Sequence, residues 1–467
     1  MAMEHATTFA IQNPSHRFGR PLKIKRASDS IDSVDLISDL PEEILHHIFS
    51  FIPTKFAIRT SVLSKRWRNV WSETPHVSFE CLSVSPKSIN KTLVNYSASK
   101  ITSFHLCTRL ASKAHHVNSW IEFAMSHNVD KLSLEFRGLT KDYSFPDLFY
   151  SSSSLKQLIV DFGLSNKMIP KCTVSWTSLK NLSLNCCKLS DESFLNILSG
   201  CPILESLRLQ FSDSVTYLDL SKLLRLRRLE IDRSPWFGEP MEIVAPHIHY
   251  LGLRNSEAQC TLVDVSSLTE AYVDFSYMLP RTSYNVIVPL KTDLLLAMVQ
   301  TMLAKFQNVE KLTLGVNFLR ILSLSWIPNF PLPELKVKNL TLETMILRSV
   351  VPGIAKLLQN SPGLKKVTVY TVQKSSTVLD KFDNSYLDLQ DMNPDQCWKL
   401  KDVVFPTSWE SEVVKPELMA SFMELLLANA GTLETLVIRL GSTYTNRSRL
   451  EQLLHIALTL SHHTIKS

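Results

Sequence analysis

Leu179-Lys-Asn-Leu-Ser-Leu184, Leu204-Glu-Ser-Leu-Arg-Leu209 and Leu226-Arg-Arg-Leu-Glu-Ile231 are three copies of one pattern. An apolar residue is followed by two others, a second apolar residue, one more residue and a third apolar one. The same triplet stands at Val129/Leu132/Leu134, Leu155/Leu158/Val160 and Ile248/Leu251/Leu253. From Leu132 to Leu251 its middle member advances by 26, 24, 25, 22 and 22 residues. Looser copies continue at Leu268/Ala271/Val273, Val309/Leu312/Leu314, Val337/Leu340/Leu342, Leu364/Val367/Val369, Leu400/Val403/Phe405 and Leu433/Leu436/Ile438. Ile101/Phe104/Leu106 is an early, atypical copy. Alternate side chains of an extended strand face opposite ways. The second and third triplet members therefore point inward, and the residues between and beside them point out. One coil cannot cover its own apolar face, so neighbours must stack.

A period in this range with this triplet is the leucine-rich-repeat pattern, and the chain holds about 12 irregular units. Several returns between strands read as helices. Ser190 can cap Asp191–Ser199, with Gly200 at its end, and Thr292 can cap Asp293–Lys305. Val351–Gln359 and Lys415–Ala430 have helical apolar periodicity. Helix, turn and strand in this order predict an α/β fold, a right-handed solenoid with a parallel sheet inside the curve. The spacing breaks between Val273 and Val309, where an extra helix and a loop at Pro280–Pro289 fit. It breaks again between Val369 and Leu400, where 374–395 reads as a protruding loop.

Ahead of the repeats, Asp39-Leu-Pro-Glu-Glu-Ile-Leu45 opens a different unit and Ser64-Lys-Arg-Trp-Arg-Asn-Val-Trp71 closes it. Asp39 suits an N-cap, Pro41 a first turn and Glu42 a capping-box partner. Ile44, Leu45, Ile48, Phe49 and Ile52 form a broad apolar face, and Pro53 stops the helix. Phe56, Ile58, Val62 and Leu63 supply a short middle helix, and Ser64 can cap a third that carries Trp67 and Trp71. Three such helices cannot bury this much apolar surface alone. The surplus points to a partner. The boundaries expected are a disordered leader 1–33, this helical unit 34–75, the solenoid 76–445 and a tail 446–467.

The unit resembles the F-box, which docks substrate receptors onto the Skp-type adaptor of SCF cullin–RING ubiquitin ligases. The Leu-Pro-x-Glu-Ile-Leu opening, Ile48-Phe49-Ser50-Phe51-Ile52-Pro53 and the Ser-Lys-Arg-Trp-Arg close carry the likeness. With the repeats behind it, the chain resembles the plant F-box/leucine-rich-repeat family; Trp120-Ile-Glu-Phe-Ala-Met-Ser-His-Asn-Val129 also looks like that family. The resemblance implies adaptor contacts at Leu40, Pro41, Ile44, Leu45, Ile48, Val62, Leu63 and Trp67. Arg59, Lys65, Arg66 and Arg68 would face an acidic adaptor surface.

Composition agrees with a folded chain: 45% of the 467 residues are hydrophobic and 20% charged. The net charge of +6 is too mild to argue for nucleic acid, and no apolar run reaches the length of a membrane span. No signal-peptide-like apolar segment opens the chain, so a nuclear or cytosolic protein is expected; Arg20, Lys23, Lys25 and Arg26 could serve nuclear import. Eight cysteines without a Cys-x-x-Cys pair read as free thiols, and 11 glycines disfavour a phosphate loop.

No nucleophile elbow, Walker loop, zincin motif or dinucleotide fingerprint is present. Adjacent histidines (His46-His47, His115-His116, His462-His463) diverge and chelate poorly, and His247 and His249 lack a visible third ligand. No catalytic residue, metal or cofactor is expected. The expected function is substrate recruitment for a ubiquitin ligase, with a plain repeat scaffold or small-ligand receptor carrying a vestigial F-box as the alternative. The target protein would meet outward residues of the sheet: Arg208, Gln210, Arg228, Glu230, Asp232, Tyr250, Arg254, Tyr272 and Asp274. Their mixed sign suits a protein epitope, and arginine and tyrosine are favoured where binding energy concentrates.

Overall fold

The computed structural model describes residues 40–80, 85–108, 114–138, 143–212, 214–233, 240–254, 260–275, 292–324, 331–344, 350–370, 400–405 and 435–438. The expected leader, the 374–395 and 280–289 loops, the helix at 415–430, the tail 446–467 and the cap Asp39 lie outside these residues.

Helix α1 spans Glu42–Phe49, and its first turn carries Glu42 and Glu43, the sign that a helix N-terminus favours. The turn after it is closed by the Ser50 hydroxyl, which donates to the His47 carbonyl at 2.6 Å. Pro53 stands at the N-cap of α2, Thr54–Arg59, which runs on into a tight turn at Thr60–Val62. Helix α3 spans Trp67–Glu73, and the Ser64 hydroxyl accepts from the Trp67 N–H at 3.3 Å, as the sequence suggested. Leu45, Phe49, Ala57, Trp67 and Val70 are buried, with Phe49 and Trp67 edge-on at 5.5 Å. The buried Thr54 hydroxyl accepts from the Ser78 N–H at 2.8 Å. The strand His76–Glu80 therefore starts directly against α2.

Among the described residues, that strand opens a 14-stranded parallel sheet whose strands are arranged in chain order. Triplet members stack in register: Leu182 beside Leu207, then Leu229 and Leu251; Leu184 beside Leu209, then Ile231 and Leu253. All eight are buried; of the residues between them Ser183, Arg208 and Glu230 are more exposed, and Gly252 is buried. The core is thus a set of leucine columns running across the coils.

The returns differ with repeat length. Helices occupy Asp191–Ser199, Thr292–Lys305 and Val351–Gln359, each where the sequence placed one. The Ser190 hydroxyl accepts from the Ser193 N–H at 3.2 Å. Gly200 ends that helix with an ordinary right-handed backbone, and a Cβ there would meet the Val174 carbonyl oxygen at 2.4 Å. Its glycine serves close packing, not a left-handed turn. Helices at Pro86–Val94, Ala114–Ser126 and Val316–Leu324 add to these. Around the 22-residue spacings the return is extended instead. Tyr217–Asp219, Met241–Val244 and Cys260–Asp264 pair as a second, three-stranded parallel sheet. A strand climbs more than twice as far per residue as a helix, so a shorter unit can close its coil only that way. Among the described residues no helix is long and apolar enough to cross a membrane.

Candidate functional site

The three-helix unit divides its apolar residues between inside and outside. Leu45 and Phe49 lie four apart on α1 and turn toward Trp67, while Ile44 and Ile48 remain exposed. Phe51, Phe56, Val62 and Leu63 are exposed as well, Val62 to 85% and Phe51 to 75%. Leu40 is half-buried and Pro41 exposed. Two of the residues expected to contact an adaptor are not exposed. Leu45 is 0% and Trp67 5% exposed; their side chains build the unit's own core. Phe51 and Phe56 join the exposed set unforeseen. Arg59 is also exposed, its guanidinium 5.5 Å from the Phe56 ring, and Lys65, Arg66 and Arg68 are exposed beside α3.

On the outward side of the sheet, the strands from 206 to 343 bring charged and aromatic side chains into two linked groups. The Arg228 guanidinium lies over the Tyr250 ring at 3.7 Å, and its Nε donates to Glu230 Oε1 at 2.7 Å. Glu230 also holds Arg208 at 3.4 Å. Arg254 lies over the Tyr272 ring at 4.4 Å, and the Tyr272 hydroxyl donates to Glu343 Oε2 at 2.7 Å. Asp232 and Gln210 sit side by side in the next row, half-exposed. The expected set is therefore assembled, but not all of it is wet. Tyr272 is 8% and Asp274 7% exposed. Asp274 folds over Gly315, where an added Cβ would meet its carboxylate at 1.9 Å. The missing side chain at 315 opens the space that takes Asp274 down from the surface. Burial, and the hydrogen bond to Glu343, push the Tyr272 hydroxyl well above the ordinary tyrosine range. Burial also raises Tyr250, against the opposing charge of Arg228. Both rings stay neutral and act as flat platforms under the two guanidinium groups.

Comparison with known proteins agrees with both halves. An F-box domain model matches residues 37–76, and the At1g61320/AtMIF1 LRR domain model matches 92–325. The F-box/LRR-repeat protein At5g02930 of Arabidopsis thaliana is 65% identical over 458 residues, 97% of each chain. F-box/LRR-repeat protein At5g02910 of the same plant is 54% identical over 441 residues, 93% of this chain and 94% of the relative. F-box/LRR-repeat protein 25, also from Arabidopsis thaliana, is 64% identical over 267 residues, 56% of this chain and all of the relative. The chain belongs to the F-box/LRR-repeat family.

In this F-box/LRR-repeat protein, the F-box match encloses every exposed apolar residue named above, and the repeat match encloses both arginine–tyrosine pairs. Glu343, which anchors Tyr272, lies beyond the matched repeats. A cleft of about 350 Å³ lies at the C-terminal end of the strands near 135 and 161, lined by Glu135, Phe136, Arg137, Gly138, Asp161 and Gly163. Arg137 sits 3.4 Å from Glu135, and Asp161 Oδ1 accepts from the Gly163 N–H at 2.7 Å, so these groups satisfy one another. Among the described residues no three histidine, cysteine or acidic side chains are grouped to hold a metal. His247 Nε2 lies 3.2 Å from the Ser221 carbonyl. Six described cysteines are free thiols. Burial pushes Cys201 and Cys260 up to about 12, the opposite of what an activated thiolate needs.

Proposed function

We propose that this F-box/LRR-repeat protein is the substrate-recognition subunit of an SCF-type cullin–RING ubiquitin ligase. Its F-box binds the Skp-type adaptor, and through it the cullin, by Ile44, Ile48, Phe51, Phe56, Val62 and Leu63. Leu40 and Pro41 are proposed contacts of the same adaptor. The observation that carries this reading is the exposure of these six large apolar side chains on a unit of three short helices. Exposed apolar groups in such density mark interaction surfaces. The exposed cations Arg59, Lys65, Arg66 and Arg68 fit an acidic partner and would speed its capture.

The repeats recruit the target through the sheet face, with Arg208, Arg228, Tyr250 and Arg254 as the anchoring contacts and Glu230 and Asp232 beside them. Tyr272 and Asp274 hold this set in place from below. Arginines already stacked and ion-paired lose little freedom on binding, which favours them as anchors. The chain itself carries no chemistry; ubiquitin transfer belongs to other subunits. It works in the nucleus or cytosol without cofactor, membrane or nucleic acid.

The test is co-purification of the full chain with a Skp-type adaptor. Stable capture supports the reading. A folded, monodisperse protein that ignores the adaptor at micromolar concentration overturns it and leaves a repeat scaffold with a vestigial F-box.

A further inference from the structure

The residue preceding each repeat strand stands on the N-terminal edge of the sheet, and backbone hydrogen bonds join these residues into a ladder. The N–H groups of Lys156, Lys180, Glu205 and Arg227 donate to the carbonyls of Asp130, Lys156, Lys180 and Glu205, at 2.7, 2.9, 2.8 and 2.9 Å. Further along, Lys338 donates to Glu310, Lys365 to Lys338 and Lys401 to Lys365, at 2.8, 2.8 and 2.9 Å. Successive rungs are thus one strand apart, about 4.8 Å.

The two stretches treat charge differently. In the first, carboxylates stand among the cations. Asp130 takes Lys100 and Lys156, both at 3.1 Å, and Glu205 takes Lys180 at 2.8 Å. In the second, three lysines follow one another on successive rungs. Glu310 holds Lys338 at 2.5 Å at one end. Lys366 follows Lys365, Lys336 precedes on the same edge, and all five lysines are exposed. Among the described residues no carboxylate lies within ion-pair distance of Lys365 or Lys366. Lys365 thus stands between lysines of both adjacent rungs, a longer run of one sign than the first stretch holds. The leucine columns beneath hold the rungs in line.

We propose that the lysine row Lys338–Lys365–Lys401, with Lys336 and Lys366, is a docking edge for an acidic segment of a partner protein. Charge complementarity selects the occupant. A protein segment is favoured over nucleic acid because the row spans only three rungs, too short a track for the many phosphate contacts on which nucleic-acid binding rests. The biological role of the segment rests on the receptor reading: it would belong to the recruited protein and bind beside the arginine–tyrosine set. The site's chemistry does not depend on that reading.

The experiment is fluorescence anisotropy of a labelled polyglutamate peptide titrated with the full chain. Binding is expected, and it should weaken as salt screens the charges. The Lys338→Gln/Lys365→Gln/Lys366→Gln variant should bind about tenfold more weakly, as the loss of three modest surface interactions implies. The charge-matched Lys100→Gln/Lys156→Gln/Lys180→Gln variant should keep most of the affinity. All six side chains are exposed, and circular dichroism checks that both variants fold. Equal loss in both variants, or no binding by the parent chain, overturns the proposal. So does a single-stranded oligonucleotide that displaces the peptide at equal charge. Adaptor capture is measured on the same preparations. Capture without peptide binding sinks the lysine edge alone, and peptide binding without capture sinks the receptor reading alone.

Discussion

The guanidinium carbon of Arg228 sits 3.7 Å from the centroid of the Tyr250 ring, one strand away in the same row of the sheet. Two neighbours fix that arrangement. Glu230 grips the guanidinium from its own strand. Gly252 leaves the floor open on the other side, where a Cβ would come within 3.3 Å of the Tyr250 ring. The pair is therefore held in place before any partner arrives. A double-mutant cycle of Arg228→Ala and Tyr250→Ala, read by urea unfolding, should give a coupling of about 0.5–1 kcal/mol, the range of an exposed cation–π contact. Additive single effects would mean that the stack contributes nothing.

Packing and the proposed docking can be tested at separate residues of the F-box. Leu45→Ala deletes a fully buried side chain and should cost about 2–5 kcal/mol. Val62→Asp/Leu63→Asp alters side chains that are 85% and 66% exposed. Such surface changes leave stability within about 0.5 kcal/mol, yet they should abolish adaptor capture. Calorimetry and a pull-down on the same samples read the two effects apart. Capture retained by the double aspartate variant contradicts the assigned face.

Two glycines two repeats apart should respond oppositely to alanine. At Gly315 the new methyl group would overlap the Asp274 carboxylate, which has to leave its buried position. A loss of about 1–3 kcal/mol is expected. At Gly363 nothing lies within 4 Å of the added atom. There alanine mainly restricts the unfolded chain and should be neutral or stabilising by up to about 1 kcal/mol. Thermal or urea unfolding of both variants checks the contrast, and equal effects would show that Asp274 is free to move.

The repeats were readable because each inward leucine answers a packing demand that recurs in every coil. The helix Asp191–Ser199 was readable because both of its ends announce themselves, Ser190 by its hydroxyl and Gly200 by its size. The strand His76–Glu80 escaped for a local reason. Its triplet is Thr74/Val77/Phe79, and a buried threonine, its carbonyl bonded by the Tyr96 hydroxyl at 2.7 Å, fills the position usually held by leucine. The inside and outside of α1 could not be separated by periodicity, since Ile44/Ile48 and Leu45/Phe49 are both four-residue pairs on one broad apolar face. Only the placement of Trp67 decides which pair turns in. Likewise the sinking of Tyr272 and Asp274 depends on Gly315 and Glu343, which follow in later repeats and carry no sign of it in their own triplets.

Buried thiols set an alkaline limit on stability. Cys201 and Cys260 titrate near 12 in the folded chain, against 9.0 for an exposed thiol, because burial penalises the thiolate. Well below pH 9.0 both thiols are protonated whether the chain is folded or not, and there they add no pH dependence. As pH rises from 9.0 toward 12 the unfolded chain sheds these protons and the folded chain keeps them, so stability falls. The buried hydroxyls of Tyr143, Tyr150 and Tyr272, raised from 10.0 by the same cause, steepen the fall above that pH. The urea midpoint should thus drop as pH rises through 9.0, and Cys201→Ala with Cys260→Ala should shallow the first part of the drop. In the native protein both thiols should also resist alkylation at mildly alkaline pH and react once urea opens the coils. A midpoint that holds level through this range, or rapid labelling without denaturant, would place these cysteines outside the leucine core.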